Sequence, residues 1–393
     1  MQYRIDERTG NKLSILGFGC MRFTRGVSGI DQKKAEQLIL RAIDAGVNYF
    51  DTAYLYGGSE VALGKALAIS NARDKVYIAT KLPIANCRSG KDFDRFFSAQ
   101  LTSLNIDCID YYLMHNINSL AQWSELCDWG VREWIAEKRS SGNLRQIGFS
   151  FHGAKDEFEK VLDAFDWDFC QIQYNYSNEQ YQAGVGGLKK AAAKHMPVII
   201  MEPLLGGKLA NGLSPSAIES FKKVNADRSP AAWGLRWLWN QPEVTVVLSG
   251  MNEMTQLDEN LAEADKAAPG CLTENEKSAY DKVREVFKST DKVPCTGCSY
   301  CMPCPKGVNI PGSFASYNAS YTHGRVTSIV MYITSTSAHR KNNSLASKCV
   351  KCGNCEGHCP QNIGIRNELA AVTRRMEPFW FNWIMKLMRS RTK

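Results

Sequence analysis

The feature that most constrains this 393-residue chain is a repeated alternation of short apolar runs and amphipathic stretches. Eight apolar runs of strand character follow one another at intervals of 24–47 residues. They begin near Gly17, Asn48, Val76, Asp110, Arg145, Phe169, Pro197 and Val244. Stretches such as 32–45 and 93–104 lie between them and carry apolar residues at i, i+3 and i+4, which predicts helices. Eight such units predict a (β/α)8 barrel. An open doubly wound sheet is the alternative, but no G-x-G-x-x-G follows the first strand.

A second pattern lies near the end of the chain, where eight of the 14 cysteines fall in two runs of four. The first run is C-x2-C-x2-C-x2-C-P from Cys295, and the second is C-x2-C-x2-C-x3-C-P from Cys349. Three thiolates at this spacing wrap one [4Fe–4S] cluster, and the cysteine before proline ligates the other cluster in two-cluster ferredoxins. We therefore assign one cluster to Cys295, Cys298, Cys301 and Cys359, and the other to Cys349, Cys352, Cys355 and Cys304. Zinc, which also uses C-x2-C pairs, is the alternative.

Charge is distributed as unevenly as cysteine. Residues 1–290 have a formal balance of −2, whereas residues 291–393 have a balance of +10. We therefore expect a barrel with a trailing helix over 1–290 and a small α-rich, ferredoxin-like iron–sulfur domain over 291–375. A basic, aromatic tail would occupy 376–393.

The composition also indicates location and partners. The first residues are charged and lack the apolar core of a signal peptide, and no run approaches the ~18 apolar residues that span a bilayer, so we expect a cytoplasmic protein. The basic end suits an acidic electron carrier such as ferredoxin or flavodoxin. It also suits peripheral contact with an anionic membrane through the tail, unless the tail simply packs as a helix with a solvated end. Nucleic acid is not expected, because no reader motif accompanies the charge.

Polar residues close three successive strands of the expected barrel. Asp51 and Tyr56 follow the second strand, Lys81 ends the third and His115 ends the fourth, so all four should meet at the top face. These residues and the phrases GFGCMR, FDTAYLYGGSE and QIQYN resemble the aldo/keto reductase family over about residues 1–264. The whole chain resembles the subgroup with an appended ferredoxin-like domain, since CTGCSYCMPCPKGVNIP is similar to that subgroup's cluster motif.

The resemblance implies a catalytic tetrad whose residue types suit carbonyl chemistry. Hydride transfer to a carbonyl leaves negative charge on oxygen, and a tyrosine with a pKa near about 10 is a poor proton donor at neutral pH. A neighbouring ammonium such as that of Lys81 lowers the pKa of a phenol, so Tyr56 would serve as general acid or base. Asp51 would hold Lys81 charged, and His115 would orient the carbonyl. Alternatively, the Asp51–Lys81 pair is a structural ion pair.

The resemblance also implies a nicotinamide cofactor, NADH or NADPH. Ser150 and Gln171 match the residues that grip the carboxamide in the family. Backbone amides in the loops after strands seven and eight would hold a pyrophosphate, and the candidates are Gly206, Gly207, Gly250 and Met251. A preference for NADP is not supported, because no lysine follows strand eight and Gln256 stands where the family has an arginine.

The sequence therefore predicts an iron–sulfur oxidoreductase that reduces or oxidises a small carbonyl or alcohol, with the clusters relaying electrons. Hydride carries two electrons and a cluster exchanges one, so a flavin would be the usual bridge between them. Two alternatives stay open. The protein is a non-enzymatic electron carrier or sensor with a retired barrel, or the clusters are purely structural.

Overall fold

A computed structural model of the chain describes residues 1–393 except residues 28, 323, 339, 341, 392 and 393. The last two positions of the predicted tail thus lie outside the described residues. The chain forms two compact units. The first, which we call the barrel unit, comprises Met1–Leu204 and Ala231–Thr273. The second, the cysteine unit, comprises Leu205–Pro230 and Glu274–Lys393. The helix Glu274–Thr290 thus groups with the cysteine unit, and the domain bounds 1–290, 291–375 and 376–393 remain a prediction.

Eight parallel strands close the barrel in strictly sequential order. They are β1 (Leu16–Gly19), β2 (Tyr49–Asp51), β3 (Tyr77–Leu82), β4 (Ile109–Met114), β5 (Leu144–Phe151), β6 (Phe169–Gln173), β7 (Val198–Met201) and β8 (Val246–Ser249). The last strand pairs with the first, Val247 lying opposite Leu16, so the sheet has no edge. The predicted (β/α)8 barrel is confirmed, and the open sheet is excluded by this closure.

Buried side chains fill the barrel. Tyr49 of β2 packs against Tyr111 of β4 with ring centroids 5.3 Å apart, and Tyr111 packs in turn on Phe169 of β6 at 5.0 Å. Because these rings fill the interior, some positions on neighbouring strands have no space for a side chain. A Cβ at Gly148 of β5 would lie 2.4 Å from the carbonyl oxygen of Phe169, so only glycine fits there. The interior is therefore a packed core, and chemistry is confined to the strand ends.

Helices follow the strands, as the sequence pattern predicts. The first shows why: the Asp31 carboxylate accepts a hydrogen bond from the Lys34 amide at 3.1 Å, and the helix buries Leu38 and Ile39 on one face. The helices that surround the barrel are Gln32–Asp44, Ser59–Ser70, Lys91–Leu104, Leu120–Asp128, Val131–Ser140, Lys155–Asp163, Gly184–Ala193, Pro230–Trp239 and Met254–Lys266.

Two small hairpins lie before the first helix. The first pairs Tyr3–Ile5 with Lys12–Ser14, and its Asn11 side chain donates to the Tyr111 hydroxyl at 3.0 Å. The second pairs Arg25–Gly26 with Gly29–Ile30.

The cysteine unit is almost entirely helical. Its helices are Lys208–Asn211, Pro215–Lys222, Glu274–Thr290, Ile310–Thr322, Arg325–Ser335, Asn354–Gly357, Ile365–Met376 and Phe379–Arg391. Buried apolar residues such as Phe314, Tyr332, Leu369 and Phe381 form one core, and six of the eight clustered cysteines pack partly buried against it. The structure therefore confirms the expectation that this region is rich in α-helix. Within the described residues, no helix is both long enough and apolar enough to cross a membrane.

Candidate active site

Four polar residues lie at the carboxyl ends of three consecutive barrel strands. Asp51 is the last residue of β2, Lys81 is the next-to-last residue of β3, and His115 directly follows β4. Tyr56 ends the 3-10 turn Tyr54–Tyr56, which comes shortly after β2. All four belong to the barrel unit, and parallel strands bring their carboxyl ends to one face. The structure thus brings together the four residues that the sequence singled out.

The Lys81 ammonium is the centre of this group. It donates to the Asp51 carboxylate at 2.6 Å, to the Thr52 carbonyl oxygen at 2.8 Å and to the Tyr56 hydroxyl oxygen at 3.3 Å. An ammonium has three N–H donors, and three acceptors surround this one. Because Lys81 is only 1% exposed, these bonds are made in a site with little water. The arrangement requires the charged form of the lysine.

His115 lies beside the tyrosine and is neutral. Its ring and that of Tyr56 meet edge to face with centroids 6.1 Å apart. Burial lowers the pKa of His115 well below its ordinary value, and the nearby Lys81 and His152 lower it further. A neutral imidazole can donate or accept a hydrogen bond at this position without adding a second positive charge.

Arg25, in the second of the two hairpins, holds the backbone that carries Tyr56. The Arg25 guanidinium donates to the carbonyl oxygens of Tyr56 and Gly57, at 3.0 and 2.8 Å. Gly57 and Gly58 both have positive φ, 45° and 85°, which favours glycine at both positions. The turn therefore returns sharply into the helix Ser59–Ser70 and leaves Tyr56 at the strand ends.

A buried polar network supports the strand that carries the lysine. The Glu60 carboxylate accepts from the Thr80 hydroxyl at 2.6 Å and from the Gln100 amide at 2.8 Å. The same amide group lies 3.0 Å from the Lys81 carbonyl oxygen, and the Tyr112 hydroxyl donates to the Gln100 oxygen at 2.7 Å. Burial raises the pKa of Glu60, while its hydrogen bonds from Thr80 and Gln100 act in the opposite direction. These side chains fix the position of Lys81 from behind.

The two residues predicted to contact a carboxamide face one another across two strands. Ser150 of β5 and Gln171 of β6 are directly paired, and both are about 1% exposed. The Gln171 amide donates to the second Asp51 oxygen at 2.9 Å, and the Ser150 hydroxyl oxygen accepts from the Asn116 amide at 2.9 Å. These bonds leave the hydroxyl hydrogen of the serine as a donor and the carbonyl oxygen of the glutamine as an acceptor.

The four predicted pyrophosphate contacts do not share one compact unit. Gly250 and Met251 belong to the barrel unit and follow β8, and Met251 is buried. A Cβ at Gly250 would lie 2.7 Å from the Arg22 side chain, so this backbone has no room for a larger residue. Gly206 and Gly207 belong to the cysteine unit and have positive φ, 65° and 96°.

One barrel cysteine approaches the tetrad without being reactive. Burial raises the pKa of Cys20 well above its ordinary value, Asp51 raises it further, and Lys81 opposes them. The thiol is 1% exposed and therefore stays protonated.

The first run of cysteines lies near the last cysteine of the second run. Burial raises the pKa of the Cys295 thiol to about 11, and the neighbouring Cys298 and Cys359 add to the rise. Burial likewise raises the pKa of Cys301 to about 12, and the same neighbours contribute, together with Cys295. Cys359 therefore lies close to the first run, although 58 residues separate it from Cys301 in the chain.

The second run shows the converse arrangement. Burial raises the pKa of Cys355, and nearby Cys349 and Cys304 contribute. Cys352 is the one exposed cysteine of the eight, whereas the others are partly buried. Among the residues that the structure describes, no three His, Cys, Asp or Glu side chains form a group that could hold a single metal ion.

Comparison with known proteins identifies both parts of the chain. The model of the aldo/keto reductase family matches residues 15–269. The chain belongs to the aldo/keto reductase family. In addition, the model of a 4Fe–4S dicluster domain matches residues 294–363, a range that contains all eight clustered cysteines. This aldo/keto reductase thus carries a C-terminal iron–sulfur domain, which favours iron–sulfur clusters over zinc and confirms the resemblance seen in the sequence.

Individual relatives agree with this family. The chain is 31% identical over 231 residues to "Uncharacterized oxidoreductase YrpG" of Bacillus subtilis, an alignment that covers 53% of this chain and 68% of that protein. It is 26% identical to the aldo-keto reductase str7 of Strobilurus tenacellus, over 70% of this chain and 89% of that protein. The solved structure of the holo form of aldo-keto reductase AKR11C1 from Bacillus halodurans shares the fold, with a TM-score of 0.58. It is 23% identical and covers 72% of this chain and 96% of its own.

Sequence reasoning missed several side chains around the site of this aldo/keto reductase. Folding brings Arg25 to the Tyr56 backbone, Gln100 to the Lys81 backbone and Thr80 to Glu60, and no local pattern marks these three residues. Glu60 does have a signal, because it lies within the phrase FDTAYLYGGSE that carries the family resemblance.

Proposed function

We propose that the barrel interconverts a small carbonyl compound and its alcohol, with Tyr56 as the general acid or base. The chain is an aldo/keto reductase with an iron–sulfur domain, and this proposal goes further by assigning the chemistry to particular side chains. The observation that carries it is the Lys81 ammonium, which bridges the Asp51 carboxylate at 2.6 Å and the Tyr56 hydroxyl at 3.3 Å.

The phenol oxygen of Tyr56 accepts a hydrogen bond from Lys81, so its own hydrogen can be donated to a substrate oxygen. A positive charge beside that oxygen stabilises the phenolate that remains after the proton has moved. Asp51 keeps the ammonium charged, and both of its oxygens are engaged, by Lys81 and by Gln171. The neutral His115 ring, edge to face with Tyr56, would donate a second hydrogen bond to the same substrate oxygen.

The site also fits a nicotinamide. Ser150 offers a donor and Gln171 an acceptor from adjacent strands, which is the pairing that a carboxamide needs. The backbone amide of Gly250, directly after β8, is the proposed pyrophosphate contact in the barrel unit. Met251 adds a second backbone amide in the same unit, and Gly206 and Gly207 of the cysteine unit remain predictions from the sequence. When bound, the nicotinamide would donate or accept the hydride. We propose NADH or NADPH without a preference for NADP.

The cysteine unit fits two iron–sulfur clusters. The thiols divide into one set around Cys295 with Cys359 and another around Cys355 with Cys304, which supports the interleaved assignment. The clusters would supply one-electron transfer. Because Cys352 is exposed and is preceded by the exposed Lys348 and Lys351, we propose that an acidic electron carrier approaches the second cluster.

The experiment compares the anaerobically purified protein with its Tyr56→Phe variant on a panel of small aldehydes and ketones, with NADH and with NADPH. Removing the proton donor should lower kcat by about 10²–10⁴-fold, because general acid catalysis contributes about that much. Tyr54→Phe is the matched control, since it removes a hydroxyl from the same turn outside the Lys81 hydrogen bonds. It should keep the parent rate.

Two results would change the proposal. If the parent reduces no compound of the panel, a non-enzymatic electron carrier or sensor explains the molecule better. A bound flavin is tested by mixing the protein with NADH and then NADPH without added flavin. Bleaching of cluster absorbance in flavin-free protein would exclude a flavin as the necessary bridge.

A further inference from the structure

The last helix of the chain, Phe379–Arg391, has one face fixed in the core of the cysteine unit. Phe381 and Met385 are fully buried there, and the Phe381 ring lies 6.0 Å from that of Tyr332. These residues are four apart and therefore lie on one side of the helix. The helix is thus a packed part of the domain rather than a loose end.

The opposite face of the same helix is apolar as well, yet it points to solvent. Phe379 is 95% exposed and Trp383 is 66% exposed, and Trp380 beside them is 38% exposed. At 100° per residue, Phe379 and Trp383 lie almost opposite Phe381 and Met385. A helix that is apolar on two faces needs an apolar partner on both, and among the described residues only one face has its partner within the domain.

A second helix of the same unit also exposes apolar residues. Arg325–Ser335 contributes Tyr332 to the same core and exposes Val326 and Val330, which are 81% and 60% exposed. A contiguous exposed apolar patch marks an interaction surface, and Phe379, Trp380 and Trp383 on the last helix form such a patch.

The sequence of this terminal segment carries charge of one sign. From Phe379 to Lys393 the sequence contains four Lys or Arg residues and no Asp or Glu. Lys386 is exposed and lies seven residues after Phe379, on the same face as Phe379 and Trp383. Aromatic rings with adjoining basic side chains are the composition of helices that lie in the surface of an anionic membrane.

We propose that the helix Phe379–Arg391 docks this protein onto the surface of a membrane rich in anionic phospholipid. Phe379, Trp380 and Trp383 would enter the headgroup region, and Lys386 would contact lipid phosphates. The buried Phe381 and Met385 would tie the bound helix to the iron–sulfur domain. The protein would thus be peripheral, held by one face of one helix.

Charge favours an anionic membrane over the two other possible partners, which are a second copy of the chain and an acidic protein. A second copy of the chain would pair like patches, and so would set the Lys386 charges of the two copies against each other. An acidic protein would complement the basic side chains but would offer no apolar layer for rings as exposed as Phe379 and Trp383. A bilayer surface of anionic lipid provides both.

The test is sedimentation of the anaerobically purified full chain with vesicles. One set is pure phosphatidylcholine, and the other contains phosphatidylglycerol in addition. We expect binding to the anionic vesicles that weakens as salt rises, and much weaker binding to the neutral ones. Phe379→Ser with Trp383→Ser should reduce the partition coefficient by about tenfold or more, and Lys386→Ala by about fivefold.

Controls keep the outcome interpretable. Ile69→Ser, at a residue 71% exposed in the barrel unit, should leave binding unchanged. The iron content of the Phe379→Ser, Trp383→Ser variant should equal that of the parent, since both residues lie off the core. The proposal is overturned if the parent binds no anionic vesicle at low salt, or if the double variant binds as well as the parent. A parent dimer that this variant converts to a monomer would instead assign the face to a second copy.

Discussion

The barrel site and the cysteine unit hold their reactive groups in opposite ways. In the barrel, Asp51 and Lys81 are buried on strands, and their charged groups are matched by hydrogen-bond partners, as in the three acceptors around the Lys81 ammonium. In the cysteine unit the thiols lie mostly on loops between helices, partly buried, and one of them, Cys352, is exposed.

This difference indicates what each region needs in order to be functional. The barrel supplies its own preorganised electrostatics, because its charges and hydrogen bonds satisfy one another before any ligand binds. The cysteine loops instead depend on iron, because the binding free energy of the metal contributes to the folding free energy of such a domain. Loss of a group should therefore damage the barrel through chemistry and the cysteine unit through structure.

The largest effect is expected at Lys81. Lys81→Met should lower kcat for carbonyl reduction by about 10²–10⁴-fold. It should also lower the free energy of unfolding by about 3–5 kcal/mol, because Asp51, 3% exposed, would be left as an unpaired buried carboxylate. Steady-state kinetics and denaturant unfolding of the barrel measure the two effects.

The double variant Lys81→Met, Asp51→Asn separates the effect on kcat from the effect on stability. Removing the orphaned charge should restore most of the stability without restoring activity. If the double variant recovered activity, the ion pair would be structural and the barrel would not differ from the cysteine unit in the way described.

The next effect concerns the interleaved clusters. Cys359→Ser should remove about half of the bound iron, because one of two clusters loses a ligand. Adding Cys301→Ser, in the same set, should remove little more, whereas adding Cys355→Ser should remove nearly all of it. Iron analysis and cluster absorbance give the result, with Cys127→Ser in the barrel as control. Equal losses in the two double variants would contradict the interleaving.

The smallest effect is a pH dependence confined to the barrel. His152 is 4% exposed, and its Nδ1–H donates to the Gln182 side-chain oxygen at 3.2 Å. Burial lowers the pKa of His152 from 6.5 to about 4. The unfolded chain therefore binds the proton more tightly, so stability is complete above pH 6.5 and is lost as pH falls toward 4, by about 3 kcal/mol.

His152→Gln should flatten this acid loss in denaturant unfolding measured between pH 7 and pH 4. His195→Gln is the control, because the His195 side chain is 75% exposed. An unchanged slope in the His152→Gln variant would show that the acid sensitivity arises elsewhere, for example from the clusters.

The architecture could be predicted from the sequence because local residue patterns determine it. Eight strand-like runs define the barrel, and the two cysteine runs mark the iron–sulfur region. The tetrad follows from strand ends, since parallel strands bring Asp51, Lys81 and His115 to one face whatever the loops do.

Other contacts could not be read in this way because they join distant parts of the chain. Gln100 meets Glu60 across 40 residues, and Arg25 meets Tyr56 across 31. The segment Leu205–Pro230 follows β7 like any barrel loop, yet it belongs to the cysteine unit, where Arg228 pairs with Glu276 at 2.5 Å. Such pairings depend on tertiary packing, which periodicity does not record.

The central claim is that the barrel and the clusters act as one oxidoreductase. Two reduced clusters hold two electrons, which is the number that converts a carbonyl into an alcohol together with two protons. The direct measurement reduces the clusters chemically, removes excess reductant, and adds a carbonyl substrate with a catalytic amount of NAD+ or NADP+ as hydride carrier while cluster absorbance is followed. The account predicts reoxidation of the clusters in the parent and little in the Tyr56→Phe variant. Clusters that stay reduced, in a protein that reduces the same carbonyl with NADH or NADPH, would contradict it.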